Sequence, residues 1–128
     1  MQFIKSRITA LLAGGVLLTS CTGVGMKSEY LQKAVQPIGA VKPDPSHLKI
    51  SYNIPQESMY YSYGVDYAAE NGVIRVFINR CPIKQTCTPM AKNTLPVNID
   101  WKAEVLLPHT QEKVILIHSD GEQVIYPQ

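Results

Sequence analysis

The stretch MYYSYGVDYAAENGVIRVFINRC, residues 59 to 81, carries two alternating runs of apolar and polar residues on either side of Asn71-Gly72. Asn-Gly suits a two-residue type I′ turn, in which both positions take a positive φ, and so predicts a β-hairpin. Counting outward from the turn pairs Ala69 with Ile74, Tyr67 with Val76 and Val65 with Ile78. That register puts Tyr61, Tyr63, Val65, Tyr67, Val76 and Ile78 on one face, and Asp66, Arg75 and Phe77 on the other.

The period of two continues on both sides of this hairpin. In HLKISYNI, residues 47 to 54, the apolar set Leu48, Ile50, Tyr52 and Ile54 alternates with Lys49, Ser51 and Asn53, as in an edge or outer strand. In LPVNIDWKAEVLL, residues 95 to 107, Leu95, Val97, Ile99, Trp101, Ala103, Val105 and Leu107 alternate with Asn98, Asp100, Lys102 and Glu104, which predicts one long strand. A second hairpin is expected around Asp120-Gly121, pairing Ile117 with Val124 and Ile115 with Tyr126. Apolar residues fall on both of its faces, which belongs inside a sheet or under cover on both sides. Six strands, hairpin turns and one Cys-bearing connection from Pro82 to Thr94 predict a mainly β fold, an antiparallel sandwich or a small open barrel. No strong helical pattern follows residue 36, and there is no internal repeat.

The N-terminus reads differently. MQFIKSR carries Lys5 and Arg7 without an acid, and Ile8 to Leu18 form a short apolar core, the layout of a secretory signal peptide. A run of about a dozen residues falls short of the roughly 20 that cross a bilayer as a helix. Its end, Leu18-Thr19-Ser20-Cys21, resembles the lipobox of bacterial lipoproteins. The resemblance implies a diacylglycerol on the Cys21 sulfur, cleavage before Cys21 and acylation of the new amino group. Two or three acyl chains hold a protein stably where one holds it marginally. In that family an Asp after the Cys favours the inner membrane. Thr22 stands there instead, which implies an outer-membrane anchor with the domain facing the periplasm.

The expected organisation is therefore a removed signal over 1–20, a lipidated Cys21 and tether over 21–46, and a β domain over 47–128. Residues 22 to 46 begin with glycines and then carry Pro37, Pro43 and Pro45. Ser28 to Val35 has room for about two helical turns, with Ser28 as N-cap and Leu31 and Val35 on one face, too short to stand alone. Fully extended, such a tether reaches roughly 80 Å, which suits a partner in the periplasm or peptidoglycan layer.

Cleavage before Cys21 takes Lys5 and Arg7 from the 12 basic residues and leaves a balance with the 10 acidic ones. With neither a basic excess nor a Lys/Arg cluster, nucleic acid is not an expected partner. With Cys21 assigned to lipid, Cys81 and Cys87 remain as a pair, and an oxidising compartment predicts a disulfide. So small a ring stabilises modestly and chiefly rigidifies one loop.

No nucleophile, acid–base pair or phosphate loop stands in a recognisable context. His118-Ser119-Asp120 contains the residue types of a triad but sits at an expected turn. Cys81, Cys87 and Met90 are soft ligands, yet a disulfide withdraws both thiolates, and His47, His109 and His118 are scattered, so neither metal nor cofactor is expected. Tyr52, Tyr60, Tyr61, Tyr63 and Tyr67 are the remaining concentration of chemistry. Tyr63 and Tyr67 read as core, whereas Tyr60 points the other way beside Ser62 and Asp66. The expected contacts for a protein partner in the bacterial envelope are Tyr60 on its strand face and, separately, Lys84 and Gln85 at the tip of CPIKQTCTP. The expectation is a binding protein and not an enzyme: a lipid-anchored accessory or assembly subunit of a secretion, pilus or conjugation apparatus. The alternative is an inhibitor or immunity-type lipoprotein that inserts the Cys81–Cys87 loop into a hydrolase, toxin or phage component.

Overall fold

A computed structural model describes residues 28–96 and 100–128, and ten strands follow one another among them. They are β1 (Gly39–Asp44), β2 (His47–Asn53), β3 (Tyr60–Tyr61), β4 (Gly64–Glu70), β5 (Val73–Ile78), β6 (Cys81–Pro82), β7 (Ala91–Lys92), β8 (Lys102–Pro108), β9 (Lys113–His118) and β10 (Gly121–Tyr126). Five form a sheet in the order β10-β9-β5-β4-β7, three form a second in the order β1-β2-β8, and β3 pairs with β6. Neither of the larger sheets closes on itself, so the mainly β fold is a sandwich of open sheets and not a barrel.

The β4–β5 hairpin takes the register that its alternation dictates, with Val65 opposite Ile78, Tyr67 opposite Val76 and Ala69 opposite Ile74. Asn71 and Gly72 make the turn at φ 54° and 77°. The apolar face meets the inner face of the three-stranded sheet. Leu48 and Ile50 of β2 and Val105 and Leu107 of β8 share one core with Val65, Val76, Ile78, Val114, Leu116 and Ile125, all essentially buried. Ser62, expected at the surface beside Tyr60, lies in this interior instead, 2.7 Å from the Tyr52 hydroxyl. Burial pushes the ionisation of Tyr52 well up, with the Ser62 hydrogen bond opposing.

Six other expectations are corrected. The segment over 21–46 is not a tether as far as it is described. Ser28, Tyr30 and Val35 are buried, and Gly39–Asp44 pairs as β1 with β2. Only a 3₁₀ turn over Gln32–Ala34 forms where two helical turns were expected, with Leu31 exposed and Val35 inside. Because β1 covers its outer side, β2 is the central strand of its sheet and not an edge.

The expected strand over 95–107 is interrupted, since Asp100 and Trp101 both take positive φ, at 56° and 50°, and β8 begins only at Lys102. Val97, Asn98 and Ile99 lie outside the described residues, as does the whole of 1–27 with Cys21.

The C-terminal hairpin is shifted from its expected register. His118 stands opposite Gly121 and Ile115 opposite Val124, so that Ser119-Asp120 forms the turn. The turn residues are held by the segment before β1: the Ser119 amide donates to the Tyr30 carbonyl at 2.8 Å, and Asp120 Oδ1 accepts from the Gln32 amide at 2.9 Å. Tertiary bonds outweigh the local preference for Asp-Gly at the turn centre. β9 is central, as its two apolar faces require, but it runs parallel to β5, with Val114 beside Ile74 and Leu116 beside Val76. The sheet is mixed and not antiparallel throughout.

Candidate interaction surface

Parallel pairing brings the ends of β5 and β9 to the same end of the sandwich, and there the chain after β5 meets β3 and the segment that begins at Ser28. Arg80 is the hub. Its guanidinium lies 3.7 Å from the centre of the Tyr60 ring and donates to both carboxylate oxygens of Glu57, at 3.2 and 2.8 Å. A third contact, at 3.4 Å, reaches Glu29. The hydrogen bonds that Arg80 donates to Glu57 raise its pKa above its already high value, so this cation is permanent. A planar guanidinium stacked on a ring while gripping a carboxylate with both prongs fixes the orientation of the ring as well as the charge.

Tyr60 is thereby presented half-buried on β3. Its strand partner is β6, with Tyr60 opposite Pro82 and Tyr61 opposite Cys81. The pairing extends one residue further, where the Ile83 amide donates to the Met59 carbonyl at 2.9 Å. Cys81 and Cys87 are joined in a disulfide, and the Gln85 amide donates to the Pro82 carbonyl at 2.9 Å, which tightens the ring from inside. Lys84 and Gln85 stand exposed at its tip. A cavity of about 230 Å³ between Tyr63, Gln85, Thr86 and Cys87 forms the inner flank of the loop.

The structure thus brings Tyr60, Lys84, Gln85 and the Cys81–Cys87 ring together at one end of the molecule. Two exposed apolar residues stand beside them that the alternating pattern does not mark. Met59 is 68% exposed and Ile83 is 48% exposed, and they are neighbours across the end of the β3–β6 pair. Large apolar side chains held in the open by a rigid frame are a recognised mark of contact surfaces. Their signal in the sequence was faint: each adjoins a residue already singled out, but neither belongs to an alternating run. Arg80, Glu57 and Glu29 had no signal at all, since nothing local relates residues so far apart.

The other candidates are dispersed. Tyr61 is buried, tilted against Tyr63 at 5.0 Å and Trp101 at 5.9 Å, while Tyr63 and Tyr67 pack against the core, as expected. Asp66 accepts from the Met90 amide at 3.0 Å. His47 pairs with Asp44 at 2.9 Å, and this hydrogen bond holds the Asp44 carboxyl below its usual range. His109 Nδ1 faces the Lys42 ammonium at 2.7 Å, at the opposite end of the sandwich from His118. His118 bonds Gln123 at 2.9 Å. No group of three His, Cys, Asp or Glu side chains able to hold a metal occurs among the described residues. No helix among them is long and apolar enough to cross a membrane. No family model matches the chain, and neither a curated protein nor a solved structure matches it.

Proposed function

We propose that the chain is a lipid-anchored, periplasm-facing binding protein, an accessory or assembly subunit of a cell-envelope complex of the secretion, pilus or conjugation type. The observation that carries the reading is the stapled end of the sandwich. Met59 and Ile83 are held exposed beside Lys84, Gln85 and a Tyr60 ring locked under Arg80. Such an arrangement loses little conformational freedom on binding, which is what a docking surface gains from a rigid frame. The lipobox-like Leu18-Thr19-Ser20-Cys21 supports the anchor, and the absence of Asp at Thr22 supports the outer membrane. The reading is of a binder and not of an enzyme.

Crosslinking of the native lipidated protein in intact cells, followed by purification under denaturing conditions, tests it. A multi-component envelope complex is the expected catch. A single soluble hydrolase or toxin would instead favour the inhibitor reading, for which the exposed tip of the ring speaks. Lys84→Ala and Gln85→Ala separate the two. They abolish inhibition if the loop enters a target site, and weaken a broad docking contact by less than about 1 kcal/mol each at its polar rim.

A further inference from the structure

The lipid anchor and the stapled surface are closer together than the sequence suggests. Ser28 and Tyr30 are buried, so the chain between an anchored Cys21 and the folded domain is at most residues 22–27, seven residue-to-residue steps from Cys21 to Ser28. No polypeptide of that length spans more than about 25 Å, roughly the length of the strands themselves, in place of the roughly 80 Å that a tether to Ser46 allows.

The place where this short leash meets the domain is also fixed. Glu29 reaches Arg80, Arg80 stacks on Tyr60, Tyr60 pairs with Pro82, and the next pair is Met59 with Ile83. On the same side, the Ser119-Asp120 turn is bonded to Tyr30 and Gln32. The far end of the sandwich carries the Asn71-Gly72 turn, tied through the Gly72 carbonyl to Lys113 at the start of β9. Only a leash drawn out along the whole domain brings that far end to the bilayer first.

Charge chooses between two occupants of the membrane-proximal end. Bare lipid attracts clusters of basic residues. Here Arg80 is already engaged by Glu57 and Glu29, and Lys84 is the one cation at the tip, with no carboxylate partner among the described residues. Two apolar side chains beside a single unpaired ammonium suit an apolar cleft with an acidic lip.

We infer that Met59, Ile83 and Lys84 face the membrane that holds Cys21 and dock into such a cleft on a protein embedded in that same membrane. This rests on the lipid-anchor reading and narrows the partner within it, away from soluble periplasmic proteins and the peptidoglycan layer.

The test uses the full lipidated chain in intact cells, with a benzophenone-bearing residue at position 83, at position 59 or, as the distal control, at position 71. Positions 83 and 59 capture a membrane-embedded protein and position 71 does not. Met59→Asp lowers capture from position 83 by about tenfold while leaving the Cys81–Cys87 disulfide formed. A twenty-residue Gly/Ser insert before Ser28 lowers it as well, because the end is no longer held at the bilayer. Capture of lipid alone or of a soluble protein, no capture from position 83, or equal capture from position 71 overturns the inference. Labelled fatty acid followed on Cys21 keeps the two readings apart: its absence sinks the anchor itself, whatever the crosslinks show.

Discussion

Arg80 grips Glu57 with two nitrogens while stacking on Tyr60, and a lysine in its place keeps the charge but loses both the fork and the plane. Arg80→Lys is expected to cost about 1 kcal/mol in urea unfolding and to free the Tyr60 ring, read as a change in its NMR line shape. Glu112 supplies a second prediction at this scale. Its carboxylate accepts from the Thr110 amide at 2.8 Å and the Thr110 hydroxyl at 3.0 Å, and these bonds, the amide foremost, hold its pKa down at about 2, below the ordinary 4.5. A depressed carboxylate stabilises fully above its unfolded pKa and loses that contribution as pH falls through the folded one. Acid unfolding followed between pH 5 and about 2 should therefore flatten in Glu112→Gln relative to the parent. Neither residue was legible in the sequence. The nearness of Tyr60 to the loop of Lys84 and Gln85 was not legible either, and Arg80 and its partner Glu57 stand 23 residues apart with no period between them.

At the level of elements, legibility followed locality. The β4–β5 hairpin was readable to the residue because a two-residue turn fixes its register. β1 was not, because its Pro43-bearing run has no apolar alternation and is a strand only by virtue of pairing with β2. The C-terminal register escaped for a related reason, its turn being bonded to Tyr30 and Gln32 from the far end of the chain. Gly64 joins β4 to β7, and a side-chain carbon placed there would run into the Ala91 carbonyl and come within 2.9 Å of the Lys92 Cα, both backbone atoms that cannot swing aside. Gly64→Ala should push β7 off the sheet edge and lower the melting temperature by several degrees, corresponding to about 1–3 kcal/mol, with amide exchange rising at Lys92 before it rises in β5.

For the whole molecule, the sequence carried the class of fold and not its wiring. Alternation announces strands and their faces, but it does not say that β9 crosses to lie parallel to β5, or that the stretch before residue 47 belongs to the folded unit. Because β9 is the strand through which β5 is joined to β10, a chain ending at Pro108 leaves Ile74, Val76 and Ile78 without Val114, Leu116 and Ile125. Such a truncation should show no cooperative unfolding transition by circular dichroism, whereas the chain carried through to Gln128 should show one. The same wiring bears on the export that the proposed lipid anchor requires. A polypeptide threaded through a membrane amino end first delivers β5 early and β9 late, and pairings between distant segments form slowly. On that reading the β4–β5 hairpin forms early, but the larger sheet lacks one of its interior strands until β9 has followed, so the domain closes only late in its passage.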